Sequence, residues 1–158
     1  TMFDSASGFY YDVMIANDAF VPVQGPEGWI PLWAGVAGET EAAGVRNIII
    51  DPAKFATHVP FPTVGKDQPG FSDGYWRGLV WLDQAYFGIA GLQRYGYDAD
   101  ALSLTTSLMN NLEGVAGSQA PIRENYHPLT GAGRNANHFS WSAAHLLMLQ
   151  MDVVGLER

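Results

Sequence analysis

Residues 75–96 of this chain read YWRGLVWLDQAYFGIAGLQRYG, and the apolar pattern of this segment constrains the whole architecture. Its apolar residues form two helical stripes, the first at Leu79, Leu82, Tyr86 and Ile89 and the second at Trp76, Val80, Phe87 and Ala90. A helix that is apolar on every face is buried on every face. The segment therefore predicts a helix enclosed by other elements, with one acid, Asp83, on its second stripe.

The segments on either side alternate between this buried type and an amphipathic type. From Asp98, the expected N-cap, a helix presents a single apolar stripe made of Ala101, Leu104, Leu108 and Leu112. Residues 138–152 are apolar on nearly every side, and residues 29–37 and 39–50 predict two further helices with Pro31 and Glu39 in their first turns. This alternation is typical of two concentric layers of helices.

The N-terminal residues predict a short β-hairpin. The segment GFYYDVMI at 8–15 has strand periodicity, and Asn17-Asp18 would turn it into a second strand at 20–23. The predicted fold is therefore mainly α, with inner and outer helices and this hairpin. So few helices cannot close two rings, so we expect the chain to be part of a larger helical domain or to find its helix partners on another chain.

The composition excludes several classes of partner and chemistry. The formal charge is −8, from 8 basic and 16 acidic residues, and an acidic surface repels nucleic acid. The chain has no cysteine, which excludes thiol nucleophiles, disulfides and sulfur-bound zinc. No apolar run approaches the roughly 20 residues of a membrane span, so no membrane association is expected. The compartment stays open between a bacterial periplasm and the cytoplasm.

The histidines do not predict a metal site. His138 and His145 are both on the last predicted helix, roughly 10 Å apart along its axis, which is too far to share one ion. His58 and His127 lie elsewhere, and no His-Glu-x-x-His motif occurs. No metal or other cofactor is predicted, although a structural ion bound through oxygen atoms stays open.

Acidic residues beside aromatic residues remain as candidates for chemistry. The stretch PIRENYHPLTG, residues 121–131, places Glu124 in a proline-stiffened aromatic loop, and Glu27, Asp83 and Asp12 also lie close to Trp or Tyr. Aromatic faces cover pyranose rings, carboxylates bind sugar hydroxyls, and glycoside hydrolysis uses two acids. The residues alone leave two simpler alternatives open: Asp83 as a buried helix acid, and Glu124 as a surface charge paired with Arg123.

Four motifs resemble glycoside hydrolase family 63, in particular its bacterial α-glucosidase type. They are GPEGWIPLWAG (25–35), YWRGLVWLDQAYFG (75–88), PIRENYHPLTG (121–131) and NHFSWSAAHLLML (137–149), and FDSASGFYYDV at the start is similar too. The resemblance runs in order over almost the whole chain and points to the C-terminal part of the catalytic domain. It implies that residues 1–158 are a portion of an (α/α)6 barrel whose remainder is absent from this chain.

The resemblance also implies roles for individual residues. Glu124 matches the general base of an inverting α-glucosidase, and an arginine, Arg123 or Arg77, is expected to pair with it. The residues that match the sugar subsite and its surroundings are Glu27, Trp29, Tyr75, Trp76, Arg77, Trp81, Asp83, Tyr126, Phe139 and Trp141. The implied partners are an α-glucoside or oligosaccharide substrate and the rest of the catalytic domain.

One departure from the family pattern limits this reading. The general acid of the family is an Asp in an upstream motif that nothing in this chain matches, so we expect the chain to be inactive alone. A non-catalytic sugar-binding module would show the same aromatic residues. A purely structural piece is the third alternative, and it predicts that Trp76, Trp81 and Trp141 are fully buried with no cleft beside Glu124.

Overall fold

The computed structural model describes residues 2–155, which are mainly helical with two short antiparallel hairpins. The regular elements, in chain order, are β1 (Phe3–Asp4), β2 (Phe9–Tyr10), α1 (Ile30–Ala34), α2 (Glu39–Ile49), α3 (Leu82–Arg94), α4 (Asp98–Asn111), β3 (Arg123–Tyr126), β4 (Gly133–Asn137) and α5 (Ser140–Leu149). Short 3₁₀ turns occupy Pro26–Gly28 and Tyr75–Arg77, and a π turn, Gln150–Val154, follows α5. None of the described helices has the length and apolar character that crossing a bilayer requires.

Helix α3 is the central element of the described residues, since it packs against α1, α4 and α5. Two glycines on its buried side allow close approach: a Cβ at Gly88 would lie 2.3 Å from the Phe61 ring, and one at Gly91 would lie 3.0 Å from the Cβ of Leu32. The core around the helix also contains the fully buried Trp29. The prediction of an enclosed helix in this segment is confirmed, although Tyr86, Phe87 and Ala90 are only partly covered.

The central helix starts later than the sequence pattern predicts. It begins at Leu82, because residues 75–77 form a 3₁₀ turn and Gly78 has φ +145°, a conformation that a side chain would oppose. Val80 is extended and forms antiparallel bridges to Pro62 on one side and Tyr126 on the other. Strand pairing at Val80 therefore replaces the first turns of the predicted helix.

The N-terminal hairpin is present, but its main pairing lies earlier than predicted. Strand β1 pairs with β2, and the turn between them is closed by the Asp4 carboxylate, which accepts the N–H groups of Ala6 and Ser7, both at 3.1 Å. An aspartate bonded to backbone two residues on is a turn-forming device. The predicted pairing of 8–15 with 20–23 is reduced to one bridge, Val13 with Phe20.

The second hairpin was missed, because PIRENYHPLTG reads as a loop between two prolines. Strand β3 pairs antiparallel with β4, with a register irregularity between Arg123 and Asn125. The connecting turn is closed by the His127 N–H, which donates to the Ala132 carbonyl at 2.9 Å. The prolines border this strand and do not interrupt it, which is where prolines are tolerated.

The peripheral helices follow their patterns with small shifts. Helix α4 buries Ala101, Leu104 and Leu108 as predicted, but its N-cap is Tyr97 and not Asp98. Helix α1 ends at Ala34, three residues early, because Gly35 adopts φ +72°. Helix α5 begins at Ser140, after His138 with φ +53°.

Helix α5 is apolar all round, yet the described residues, 2–155, cover only one of its sides. Ser142, Leu146 and Leu149 are buried, whereas Trp141, Leu147 and Met148 are exposed. An uncovered apolar helix face marks a contact surface. We call these three exposed residues the open face of α5.

The close packing of α3 on Phe61 is testable with Gly88→Ala. In an open helix this change is stabilising by about 1 kcal/mol. Here the new methyl group meets the Phe61 ring, so we expect the free energy of unfolding in urea to fall by about 1–3 kcal/mol. Gly70→Ala is the control, since no atom lies within 4 Å of the added Cβ. An unchanged or increased stability of Gly88→Ala would contradict this packing.

Candidate active site

Backbone pairing fixes the strand that carries Glu124 against the segment before α3. The Val80 N–H donates to the Tyr126 carbonyl at 2.8 Å, and the Tyr126 N–H donates back to the Val80 carbonyl at 3.0 Å. The Tyr126 side chain is fully buried, and its hydroxyl oxygen accepts the Arg123 N–H at 2.9 Å. Tyr126 thus anchors β3, and its ring is not available to a sugar.

Both oxygens of the Glu124 carboxylate are held by donors. The Tyr75 hydroxyl donates to Oε1 at 2.8 Å, and the Ala136 N–H donates to Oε2 at 3.2 Å. The Ser142 hydroxyl on α5 donates to the Glu124 carbonyl at 3.0 Å, which ties this helix to the strand. Glu124 is therefore half-buried beside a phenol and held in one orientation.

Five aromatic side chains, Tyr75, Trp76, Trp81, Phe139 and Trp141, form a connected group that we call the aromatic wall. Trp76 and Trp81 are stacked, with ring centroids 4.0 Å apart and planes 3° apart. Trp81 is only 3% exposed, whereas Trp76 and Trp141 are 45% and 43% exposed. Trp81 thus supports the wall from behind, while Trp76 and Trp141 present indole rings to the outside.

The exposures argue against the purely structural alternative. That alternative predicts full burial of all three tryptophans and no cleft beside Glu124. The predicted burial holds for Trp81 but fails for Trp76 and Trp141, while the cavities lined by residues 110–113 and by Ile50 and Asp100 include neither Glu124 nor a wall residue. Tyr75, which bonds Glu124, is 49% exposed as well. The wall and the carboxylate therefore share an accessible side of the chain.

The expected arginine partner of Glu124 is absent from the described ion pairs. The Arg123 guanidinium donates instead to the Asn135 carbonyl at 2.7 Å, and Arg77 is exposed. The ion pairs between residues 2 and 155 are Arg46–Asp100 and Lys54–Asp67. The prediction of a salt bridge with Arg123 or Arg77 is wrong, because strand pairing turns Arg123 toward β4 and a phenol fills the place beside the carboxylate.

Two predicted sugar contacts lie in the core. Trp29 is fully buried, its indole N–H donates to the Gln84 carbonyl at 3.0 Å, and its ring meets Phe61 edge-on. Asp83, in the first turn of α3, is 6% exposed and accepts the Gln84 amide at 2.7 Å. A carboxylate at a helix N-terminus is favoured by the helix dipole, so Asp83 is explained as a buried helix acid.

Glu27 lies in the 3₁₀ turn before α1 and is poorly satisfied. Its Oε1 atom is buried without a hydrogen-bond partner. Burial is the main cause that raises the pKa of Glu27 to about 7. Hydrogen bonds from the backbone N–H groups of Glu27 and Gly25 lower this pKa, and the negative charge of Asp12 makes a smaller raising contribution. A Cβ at Gly25 would touch both the Glu27 carboxylate and the Thr63 carbonyl, so these groups are close neighbours.

The described residues support neither a metal site nor a serine nucleophile. Within residues 2–155 no group of three or more His, Asp or Glu side chains could hold a metal ion. Gly70-Phe71-Ser72-Asp73-Gly74 has the spacing of a serine nucleophile elbow. However, the Ser72 hydroxyl oxygen accepts the Gly74 N–H at 3.2 Å inside an irregular loop, so the serine closes a turn.

Sequence reasoning missed two groups that hold the site. The Ala136 N–H binds Glu124 through backbone alone, so no side chain signals it. Asn135 beside it has φ +58°, and Asn is one of the few residues that adopt this conformation readily. Thr63 is the second group: its buried hydroxyl contacts the Trp76 carbonyl, a role that nothing in the PFPTVG sequence indicates.

Comparison with known proteins identifies the family. Residues 1–142 match the family described as the mannosylglycerate hydrolase MGH1-like glycoside hydrolase domain. The chain belongs to this family. The resemblance to glycoside hydrolase family 63 is thereby confirmed, as is the fold class, since its structural neighbours are (α/α)6 barrels and the helices described above are part of one.

Named relatives of this MGH1-like chain are similar over most of its length. It is 31% identical over 144 residues to "Mannosylglycerate hydrolase" of Thermus thermophilus, and the aligned region covers 90% of this chain and 33% of the relative. It is 32% identical over 151 residues to "Mannosylglycerate hydrolase MGH1" of Selaginella moellendorffii, which covers 93% and 29%. The crystal structure of the GH63 mannosylglycerate hydrolase from Thermus thermophilus in complex with glucose superposes with a TM-score of 0.77 at 30% identity, over 94% of this chain and 36% of that chain. The MGH1-like chain thus spans about a third of the length of these relatives.

The contact between Tyr75 and Glu124 predicts a change in phenol titration. The hydrogen bond to Glu124 is the main cause that raises the pKa of Tyr75 above its usual 10.0, followed by burial and by the negative charge of Glu124. Glu124→Gln removes that charge, so we expect the pKa of Tyr75 to fall toward 10.0, as measured by NMR of ring-labelled tyrosine. Glu113→Gln is the matched control, and identical Tyr75 titrations in wild type and Glu124→Gln would exclude the contact.

Glu27 predicts a stability that falls as pH rises. A carboxyl whose pKa is about 7 in the folded chain and about 4.5 in the unfolded chain binds its proton more tightly when folded. The contribution of Glu27 to stability is then greatest below pH 4.5 and declines by up to about 3 kcal/mol as pH rises to 7, whereas the lowered pKa values of Asp4 and Asp67 act in the opposite direction at low pH. Urea unfolding at several pH values should show this slope, and Glu27→Gln should remove most of it while Glu39→Gln, an exposed helix-start control, keeps it. A Glu27→Gln variant with the wild-type slope would refute this account.

Proposed function

We propose that Glu124 and the aromatic wall form one half of the active site of an inverting glycoside hydrolase. The single observation that carries the proposal is the Glu124 carboxylate, oriented by the Ala136 N–H and by the hydroxyl of Tyr75, whose ring also contacts the exposed Trp76. A rigidly held carboxylate next to an accessible aromatic surface suits the activation of water near a bound sugar. Membership in a glycoside hydrolase family supports the same chemistry.

In this proposal Glu124 is the general base. One carboxylate oxygen accepts a proton from water as the water oxygen attacks the anomeric carbon. The bond from that carbon to the leaving oxygen breaks on the opposite face of the ring, which inverts the configuration. The leaving oxygen takes a proton from a second carboxyl group, which inverting enzymes place roughly 6.5–9.5 Å from the base.

The sugar would lie against the exposed members of the wall. Trp76 and Trp141 offer exposed indole rings that can cover the apolar face of a pyranose, and the Phe139 ring is stacked on Trp141 with centroids 6.1 Å apart. The exposed Arg77 guanidinium, on the same turn as Trp76, is available to bind hydroxyl or carboxylate groups of a substrate. Trp81 contributes by supporting Trp76.

The general acid would come from a region outside residues 1–158. The chain spans about a third of the length of its relatives, and the open face of α5 needs a partner. We propose that the rest of a barrel packs on this face, next to Trp141, and brings the acid to the opposite side of the sugar. The chain alone would then bind sugar weakly and leave the glycosidic bond intact.

The proposed substrate class is an α-hexoside of a small hydroxy acid. The Thermus and Selaginella relatives are named mannosylglycerate hydrolases, which makes mannosylglycerate the first substrate to test. A simple α-glucoside is the alternative, favoured by the solved relative described in complex with glucose. Glucosylglycerate combines the glycerate of the first candidate with the glucose of the second, so it is tested in the same assay.

A chimera tests the proposal directly. The matching third of the Thermus thermophilus enzyme is replaced by residues 1–158, and hydrolysis of mannosylglycerate, glucosylglycerate and an α-glucoside is followed by NMR, which also reports the anomer formed first. We expect the chain alone to be inactive and the chimera to be active. Glu124→Gln in the chimera should lower kcat by about 10²- to 10⁴-fold, while Glu113→Gln, a control outside the wall, should not.

The outcomes separate the competing functions. Activity of Glu124→Gln within tenfold of the parent chimera would remove Glu124 from the role of base. A chimera that binds the sugars but cleaves none would favour the non-catalytic binding module. Hydrolysis by the chain alone would show that no second polypeptide segment is needed.

A further inference from the structure

The turn that carries Tyr75 and Trp76 has an unfavourable backbone conformation. Tyr75 has φ +51°, which is uncommon for an aromatic residue, and Gly78 at its other end has φ +145°. Within the turn, the Arg77 N–H donates to the Gly74 carbonyl at 2.9 Å. A conformation of this kind persists only when the surroundings hold it in place.

Thr63, in the long loop that precedes the turn, makes contacts that stabilise this conformation. Its hydroxyl lies 3.0 Å from the Trp76 carbonyl and 3.1 Å from the Leu79 carbonyl, and its N–H donates to the same Leu79 carbonyl at 3.2 Å. Thr63 is 4% exposed, so water does not substitute for these contacts. Thr63 therefore binds the backbone on both sides of Gly78, at Trp76 and at Leu79.

We propose that Thr63 is a positioning residue for the aromatic wall. Its hydroxyl fixes the turn so that Trp76 stacks on Trp81 and the Tyr75 hydroxyl reaches Glu124. The hydrogen bonds of the Thr63 side chain go to backbone carbonyls and not to Glu124, so Thr63 acts through the backbone of Trp76. The catalytic consequence rests on the proposed function, whereas the positioning of the indole stack does not.

The hydroxyl is the part of Thr63 that matters in this proposal. Valine has the same shape but cannot donate, so the partly buried Trp76 carbonyl would lose this donor, which costs free energy. The Trp76 carbonyl would then favour a rearranged turn in which it binds water. In that turn the Trp76 ring would no longer stack on Trp81. Thr57, on the same loop, offers a matched control, since its buried hydroxyl donates to the Val59 carbonyl at 2.6 Å and not to the turn.

Circular dichroism of the full chain tests the proposal without any sugar. Closely stacked indoles give an exciton-coupled band, and Trp76→Phe identifies the part that comes from Trp76 and Trp81. We expect Thr63→Val to reduce that band, since loss of one hydrogen bond shifts the equilibrium from the held turn toward the rearranged turn by roughly fivefold. Thr63→Ser and Thr57→Val should keep the band.

A folded Thr63→Val variant that keeps the full band would overturn the proposal, as would an equal loss in Thr57→Val. Urea unfolding of each variant shows that it is folded, and Thr63→Ala is used in the same way if Thr63→Val does not fold. A second readout is the pKa of Tyr75, which should fall toward 10.0 in Thr63→Val as the phenol leaves Glu124. These readouts stay valid if the chimera proves inactive, so failure of the positioning role and failure of the proposed hydrolase are told apart.

Discussion

The reciprocal hydrogen bonds between Val80 and Tyr126 set the geometry on which the rest of the site depends. They join the segment before α3 to β3, and the bridge from Val80 to Pro62 extends the pairing to the long loop. Buried backbone groups need partners, and here the partners come from segments far apart in sequence. Because the pairing register is fixed, Trp81, which follows Val80, and Glu124, on the same strand as Tyr126, cannot move independently.

The site is held by neutral donors instead of a salt bridge. A phenol and a backbone N–H orient Glu124, and a buried tryptophan supports the exposed one. Neither donor carries a formal charge, so no described ion pair includes Glu124. Strand pairing turns Arg123 toward β4, where its guanidinium donates to the Asn135 carbonyl.

The sequence predicted the elements that depend on local periodicity and missed those that depend on distant pairing. The stripe of α4 and the burial of Leu82 and Ile89 follow from a period of 3.6 residues. The late start of α3 does not, because Val80 is removed from the helix by Tyr126, 46 positions away in the chain. The motif resemblance led to Glu124 and the wall tryptophans, but it also included Trp29, whose environment is set by Phe55 and Phe61.

The open face of α5 links the stability of the chain to its chemistry. Trp141 is part of both the wall and that face, and Ser142 on the buried side of the same helix donates to the Glu124 carbonyl. An element that packs on Leu147 and Met148 would therefore also fix the position of Trp141 relative to Glu124. Burial of this apolar face favours association, and the same contact would enclose the wall and exclude water from it. Completion of the helical layer and completion of the site are then a single packing event.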